Sequence, residues 1–234
     1  MHDSKIIFFT GAGMSAESGV PTYRGKGGIW NKYRWEEYAC QEAFENNPQK
    51  VLDFHELRRI EAIKCSPHSG HKIIKNIQDK YPNTYIVTQN IDGMHQRIGS
   101  SNIIELHGSI WRLRCEEEKI EFEDIKDAKY SSRFCGCGNV LRPDIIWFQD
   151  SLKYNIVNRV SKLISECDFF ISIGTSGMVW PAAGLPGVAK SAGAFCIEIN
   201  PENSEISHIY DKTIRMEASI GLDYLYNKLW QELC

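Results

Sequence analysis

The sequence predicts an α/β domain built on a parallel sheet, with a small module inserted into it. Three observations carry this prediction. Short apolar runs recur along the chain: Ile6–Phe9, Tyr85–Val87, Ile103–Leu106, Phe169–Ile173 and Phe195–Ile199. They are rich in Ile and Val and show no polar alternation, as expected for strands buried on both faces. Helical patterns lie between them, and such alternation of strand and helix argues for parallel pairing. The stretch from Arg112 to Arg142 departs from both patterns, being polar and charged with few helix signals. It reads as a small inserted module, or more simply as a solvated surface loop.

Each element follows from its residues. Ile6–Phe9 comes directly after the polar Met1–Lys5. Gly25 to Gly28 mark a loop. Lys50–Ile63 places Val51, Phe54, Leu57 and Ile60 or Ile63 on one helix face. His68–Lys80 and Leu152–Ser165 do likewise. Leu222–Leu233 spaces Leu222, Leu225, Leu229 and Trp230 as a last helix. Glu116–Lys129 is mostly Glu, Asp and Lys.

Composition limits the function. A chain of 234 residues allows one large domain, or one domain carrying a small module. At 42% hydrophobic and 24% charged residues it is globular in type. A net charge of −3 lacks the basic footprint of a nucleic-acid binder, so no direct nucleic-acid binding is expected. No apolar run approaches a membrane span, and no signal-peptide pattern opens the chain; a cytoplasmic location is the expectation. Without a secretion signal, the 8 cysteines argue against a disulfide framework. Cys167 and Cys196 lie in apolar segments and read as small buried hydrophobes. Cys115, Cys135 and Cys137 are close enough in sequence for a metal site.

The first strand leads into Thr10-Gly11-Ala12-Gly13-Met14-Ser15-Ala16, a G-x-G-x-x-A pattern. Gly11 suits a tight turn, Gly13 lets backbone approach a pyrophosphate, and Ala16 permits close packing. A helix starting there would point its N–H groups at an anion. An ordinary dinucleotide fold carries an acidic residue about 20 residues on, at the end of a second strand. Here residues 20–35 are loop-like, so a ribose must be held in another way.

The longer block Gly11 to Arg24 resembles the first signature of the sirtuins, the NAD-dependent protein-lysine deacylases. Thr88-Gln89-Asn90-Ile91-Asp92-Gly93-Met94-His95 resembles the second. Glu105-Leu106-His107-Gly108-Ser109 resembles the block with the catalytic histidine, and Leu141 to Phe148 the segment that clamps the peptide substrate. Gly174-Thr175-Ser176 and Ile199-Asn200 resemble further NAD contacts. The match spans nearly the whole chain.

The resemblance implies a Rossmann-like sheet with helices on both faces, plus a small domain containing a degenerate zinc-ribbon-like module. The large part would comprise about 1–24, 75–110 and 145–234; the small part about 25–74 (helical) and 111–144 (zinc-module-like). NAD would be consumed as a co-substrate: nicotinamide leaves, and the acyl group passes from lysine to ADP-ribose. His107 would be the general base, a task suited to imidazole. Asn90 would order the ribose region, with Ile91 and Asp92 on the nicotinamide amide; Asp92 also suits a helix cap. Gly11, Ala12, Gly13, Ser15, Ala16, Tyr23, Arg24, Gln89, Gly174, Thr175, Ser176, Asn200 and Ala218 would complete the cofactor site. Tyr23 stands where the family usually has Phe. Glu198 is a further neighbour. Ile145, Ile146, Trp147 and Phe148 would pair with the substrate backbone as an added strand, or form an ordinary buried strand.

One branch of the family reads a carboxylate at the end of the acyl chain with a Tyr-x-x-Arg pair beside an Ala. Here Ala39 and Arg58 match, and His55 replaces the tyrosine. The other reading is a solvent-exposed charged helix face. Most sirtuins bind structural zinc through two Cys-x-x-Cys pairs. This chain has Cys115 with Glu118 at the second position, then Cys135-Gly136-Cys137. Three thiolates plus Glu118 or water would hold zinc; a module held by packing alone is the alternative. Acylated lysine proteins or peptides are the expected partners. Competing readings are an ADP-ribosyltransferase of the same fold and a non-catalytic NAD-binding module. A zinc-ribbon interaction protein leaves most of the chain unexplained, and the missing second-strand acid disfavours a dehydrogenase.

Overall fold

The computed structural model describes residues 4–23 and 27–229. Arg24, Trp230 and Leu233, singled out above, lie outside the described residues. In chain order the elements begin β1 (Ile6–Thr10), α1 (Gly13–Ala16), α2 (Trp35–Tyr38), α3 (Gln41–Asn46), α4 (Pro48–Lys64), α5 (Ser69–Lys80), β2 (Thr84–Thr88), α6 (Met94–Arg97) and β3 (Ile103–Glu105). They continue with β4 (Gly108–Cys115), β5 (Ile120–Glu123), β6 (Arg142–Ile145), α7 (Tyr154–Ser165), β7 (Phe169–Ile173), α8 (Leu185–Ser191), β8 (Phe195–Ile199), β9 (Lys212–Ile214) and α9 (Ala218–Tyr224).

The main sheet is parallel, in the order β3-β2-β1-β7-β8-β9. Consecutive residues of β1 feed two different cores. Ile6 and Phe8 pack with Ile74 and Ile77 of α5 and Leu222 of α9. Ile7 and Phe9 pack with Val160 and Ile164 of α7 and Ala189 of α8. Both faces are dry, which is why the strand sequence shows no alternation. The predicted apolar runs are strands of this sheet. The short edge strand β9 escaped prediction because Lys212 and Thr213 are exposed and only Ile214 is buried. Chain order reverses at β1, with β2 on one side and β7 on the other. That leaves a crevice beyond their carboxyl ends.

The sequence between Arg112 and Arg142 is no solvated loop. It contributes to an antiparallel sheet ordered β5-β4-β6. Gly108 pairs with Ile145 and Leu113 with Pro143, so five steps on β4 oppose two on β6. This bulge bends β4 just after His107. Gly108 has φ +76°, and a Cβ there would sit 2.0 Å from the Asp144 carbonyl oxygen. Val51, Leu52, Trp111, Leu113, Leu141 and Trp147 form the core beneath.

Helix α4 starts where Asn47 Oδ1 accepts from the Lys50 N–H at 3.0 Å and Pro48 opens the first turn. Its buried stripe differs from the predicted apolar face. Leu57 and Ile63 are exposed, while Val51, Leu52, Phe54, His55, Arg59 and Ala62 are buried. Polar residues replace apolar ones because each finds partners. Arg59 is fully buried, pairs with Asp124 at 2.9 Å and also donates to the backbone oxygens of Asp124 and Asp127. Its guanidinium lies 5.0 Å from the Trp111 ring and 4.6 Å from that of Tyr130. The last predicted helix begins earlier than expected, as α9, and continues through a π-helical turn at Leu225–Leu229.

Two substitutions test this architecture. Arg59→Ala leaves the Asp124 carboxylate buried and unpaired and costs about 3–5 kcal/mol of stability, measured by urea unfolding. Gly108→Ala costs on the order of 1–3 kcal/mol from backbone strain. It also pushes β4 off β6, so activity at saturating substrate falls together with stability.

Candidate active site

The crevice opens into a cleft of about 820 Å³ between the two sheets' domains. Its floor is made by two turns. Gly11 N–H donates to the Ile173 carbonyl and Gly13 N–H to that of Gly174, both at 2.9 Å. A Cβ on Gly11 or Gly13 would meet Gly174 backbone at 2.7 Å, and one on Gly174, which has φ +60°, would meet Gly13 and Met14 at 2.5 Å. The glycines therefore permit backbone-to-backbone contact as well as approach by a ligand. The helix after the turn is one turn long. The N–H groups of Met14 and Ser15 bond to the Gly11 and Ala12 carbonyls. With those of Gly11 and Gly13 they are spent inside the fold, a correction to the expectation that they point at an anion.

Thr175 and Ser176 follow Gly174. Asn200, at the end of β8, donates through Nδ2 to the Thr175 carbonyl at 2.9 Å. Gly11, Ala12, Gly13, Ala16, Tyr23, Gly174, Thr175, Ser176, Asn200 and Ala218 all line the cleft, as expected. Glu198 does not: Ser204, Ser207 and Arg215 hold its buried carboxylate.

Beyond β2 lie Gln89, Asn90, Ile91 and Asp92. Asn90 Nδ2 donates to the Gly11 carbonyl at 2.9 Å and to Ser15 Oγ at 3.3 Å. Asp92 Oδ1 accepts from Met94 N–H at 2.9 Å, so the helix-capping role is present. Burial pushes its carboxyl above the usual range, partly offset by that hydrogen bond, by Ser15 and by Arg97 and Arg58. Asp92 does not line the cleft itself. It lines a recess behind, with Ser15, Tyr23, Arg58, Asn90 and Ile91. His107 Nδ1–H donates to the Gln89 carbonyl at 3.0 Å, which leaves Nε2 as the basic nitrogen. Burial holds its pKa below 6.5, against a smaller opposing effect of that hydrogen bond.

The small-domain wall carries Ala39, His55, Arg58 and Ile145 to Phe148. Ile145 and Trp147 are buried, whereas Ile146 and Phe148 are half-exposed. The N–H groups of Ile146, Trp147 and Phe148 donate to the His107 carbonyl, Asp150 Oδ2 and the Ala39 carbonyl. Those donors are unavailable to an added strand, which corrects half of the pairing expectation. His55 and Arg58 do not form a solvent-exposed face. Trp147 Nε1–H donates to His55 Nε2 at 3.1 Å, so the His55 proton sits on Nδ1. Burial, with Arg58 and Arg142 nearby, pushes its pKa down to about 3. Arg58 is largely buried and gives Nη1 to Glu61 at 2.7 Å.

The Sγ atoms of Cys115, Cys135 and Cys137 lie within 4.8 Å of one another. They fit three corners of a zinc tetrahedron. Glu118 does not fill the fourth: its carboxylate lies outside that cluster, and it contributes its N–H to Cys115 Sγ at 3.5 Å. A closed four-ligand site therefore does not fit these residues.

Trp30, Phe54, Gln149, Met178 and Trp180 also line the cleft and were not anticipated. Trp30, Phe54 and Phe148 form an aromatic group with ring centroids 5.6–6.1 Å apart. Trp180 is 74% exposed, on a Gly- and Pro-containing loop. A large apolar residue in such a loop was the available signal.

Known proteins agree with this arrangement. The model of the Sir2 family matches residues 11–181. An NAD-dependent protein deacylase of Aquifex aeolicus is 45% identical over 98% of this chain and 97% of its own length. One from Pyrococcus abyssi is 41% identical over 91% and 88%. A Sir2 homologue mutant solved with ADP-ribose superposes with TM-score 0.91 at 35% identity, covering 99% of this chain and 94% of that one. A Sir2 homologue in complex with NAD gives 0.89 at 37%, covering 100% and 92%. With its parallel sheet, its paired glycine turns and His107 at the cleft, the chain belongs to the Sir2 family.

Proposed function

We propose that this protein removes acyl groups from lysine side chains of proteins, with NAD as co-substrate. The observation that carries the reading is His107 in the cleft, its tautomer fixed by the Gln89 carbonyl. NAD supplies an electrophilic ribose carbon when nicotinamide leaves, and the acyl oxygen of the lysine amide captures it. Asp92 and Ile91 hold the carboxamide, and Asn90, fixed by Gly11 and Ser15, orders the ribose. His107 Nε2 takes the proton of a ribose hydroxyl as that oxygen attacks the acyl carbon. The lysine amine leaves, and the acyl group stays on ADP-ribose.

Incubation with NAD and acetyl-lysine peptide should give free lysine, nicotinamide and O-acyl-ADP-ribose by mass spectrometry. ADP-ribose on the peptide would favour a transferase, and intact NAD a binding module. His107→Ala lowers kcat/KM by about 10²–10⁴. The sign of its pKa shift fixes the pH dependence. A base whose pKa is lowered stays unprotonated further into acid, so the acid limb of kcat/KM has its midpoint below pH 6.5.

A finer reading concerns the acyl chain. Arg58 is buried against the same wall as Ala39, and Glu61 engages only one of its terminal nitrogens. The remaining guanidinium donors suit a carboxylate at the end of a succinyl or malonyl group. His55, neutral and carrying its proton on Nδ1, adds a donor without adding charge. Arg58→Met should lower desuccinylation by about tenfold or more while sparing deacetylation. Equal loss of both activities would remove this assignment and leave the deacylase reading standing.

A further inference from the structure

We propose that Cys115, Cys135 and Cys137 form a three-thiolate zinc site whose fourth coordination position is open to solvent. A bound zinc ion would therefore be exchangeable and would accept an outside ligand. This departs from the closed four-thiolate arrangement implied by the family resemblance, and it rests on this chain's own residues.

The thiols are brought together by backbone. Cys115 ends β4. Cys135 and Cys137 sit on a turn in which Gly138 N–H donates to the Cys135 carbonyl and Cys135 N–H to that of Asn139. Gly138 takes φ +90°, and Phe134 bridges Val140 across the base of the turn. Cys115 and Cys137 Sγ are 3.6 Å apart. A Zn–S bond of about 2.3 Å sets tetrahedral sulfur–sulfur edges near ~3.8 Å, so the pair is already close to one edge. Two N–H donors point at these sulfurs, Glu118 N–H at Cys115 and Asn139 Nδ2 at Cys137 at 3.4 Å. Such donors stabilise thiolates once a metal has displaced their protons.

The fourth corner is the distinguishing feature. Among the described residues, no further His, Cys, Asp or Glu joins the cluster. Cys115 is buried, Cys135 half-buried and Cys137 exposed, so the cluster opens toward solvent. Binding zinc releases three thiol protons to solvent and leaves the last site to water or a small donor. The metal would also tie the far end of β4 to the turn ahead of β6. These two strands lead directly to His107 and to Ile146.

The test uses the full-length, reduced, metal-free protein. Titration with Co(II) should show uptake of one equivalent with sulfur-to-cobalt charge-transfer absorption. Added imidazole should then shift the ligand-field bands. One equivalent of Zn(II) should slow alkylation of Cys135 and Cys137, mapped by mass spectrometry. Glu118→Cys, an exposed position, closes the fourth corner. It should tighten zinc binding in chelator competition by at least about tenfold and abolish the imidazole shift. Cys137→Ser, also exposed, should lose stoichiometric uptake while keeping the far-UV circular dichroism of the parent. No stoichiometric uptake, with alkylation equally fast with and without zinc, overturns the proposal. So does a Glu118→Cys protein whose affinity and imidazole response match the parent's.

Discussion

Two peptide backbones touch at the floor of the cleft, and the rest of the site depends on that contact. The turn after β1 and the turn after β7 meet through Gly11, Gly13 and Gly174, with no side chain between them. Any Cβ there would wedge the central strands' ends apart. Because β1 and β7 are neighbours in the sheet, the contact fixes where both loops leave it. Asn90 is then anchored on the Gly11 carbonyl, and Asn200 on that of Thr175. The two ends of an extended dinucleotide site are thereby referenced to the same point.

The opposite wall is held by charge. Asp144, fully buried on β6, takes Arg112 at 2.8 Å, Arg114 at 3.4 Å and Lys153 at 2.9 Å. Burial raises its pKa, but the hydrogen bonds and charges of Lys153 and Arg112 outweigh this and hold it below the usual range. Arg112 also reaches Glu105 on β3, at 2.6 Å. The ion-pair group therefore joins the large sheet to the small one on either side of His107. Arg59 and Asp124 do the same for α4 and the segment after β5. Buried pairs of this kind contribute little net stability over apolar packing, but breaking one partner out is costly. They hold β4 and β6 in one arrangement, and that arrangement presents His107 and Ile146 to the cleft.

The large sheet was legible because its strands are dry on both faces; Ile6–Phe9 or Phe195–Ile199 cannot be read otherwise. The small sheet was not, because its strands carry charges that pair with one another. Arg112, Arg114 and Asp144 look like loop residues until β4 and β6 bring them together. The face of α4 was misread for the same reason, since periodicity ranks Leu57 above Arg59 and knows nothing of Asp124. The site residues were legible as motif blocks. Their internal hydrogen bonds were not: that Met14 and Ser15 N–H groups are consumed by their own turn, or that Trp147 sets the His55 tautomer, follows from contacts between distant segments.

Histidines buried near the same floor set an acid limit on the site. His95 Nε2–H donates to Thr10 Oγ1 at 3.3 Å, Thr10 donates to Thr88 at 2.8 Å, and Thr88 Oγ1 accepts from Asn90 N–H at 3.0 Å. His95 is thus wired to the ribose-ordering residue in its neutral form. Its Nδ1 and both nitrogens of the adjacent His71 are buried without a partner, so an added proton would find no acceptor. Burial holds their pKa values at about 4 and about 2. The unfolded chain takes up protons near pH 6.5, the folded chain only far lower. The stability these groups contribute is full above pH 6.5 and is lost as the pH falls through 4 toward 2. His107 titrates below 6.5 as well, so protonation of the base and loosening of the floor that carries Asn90 share part of one pH range. Activity lost with the fold intact belongs to His107; activity lost with the fold belongs to His95 and His71.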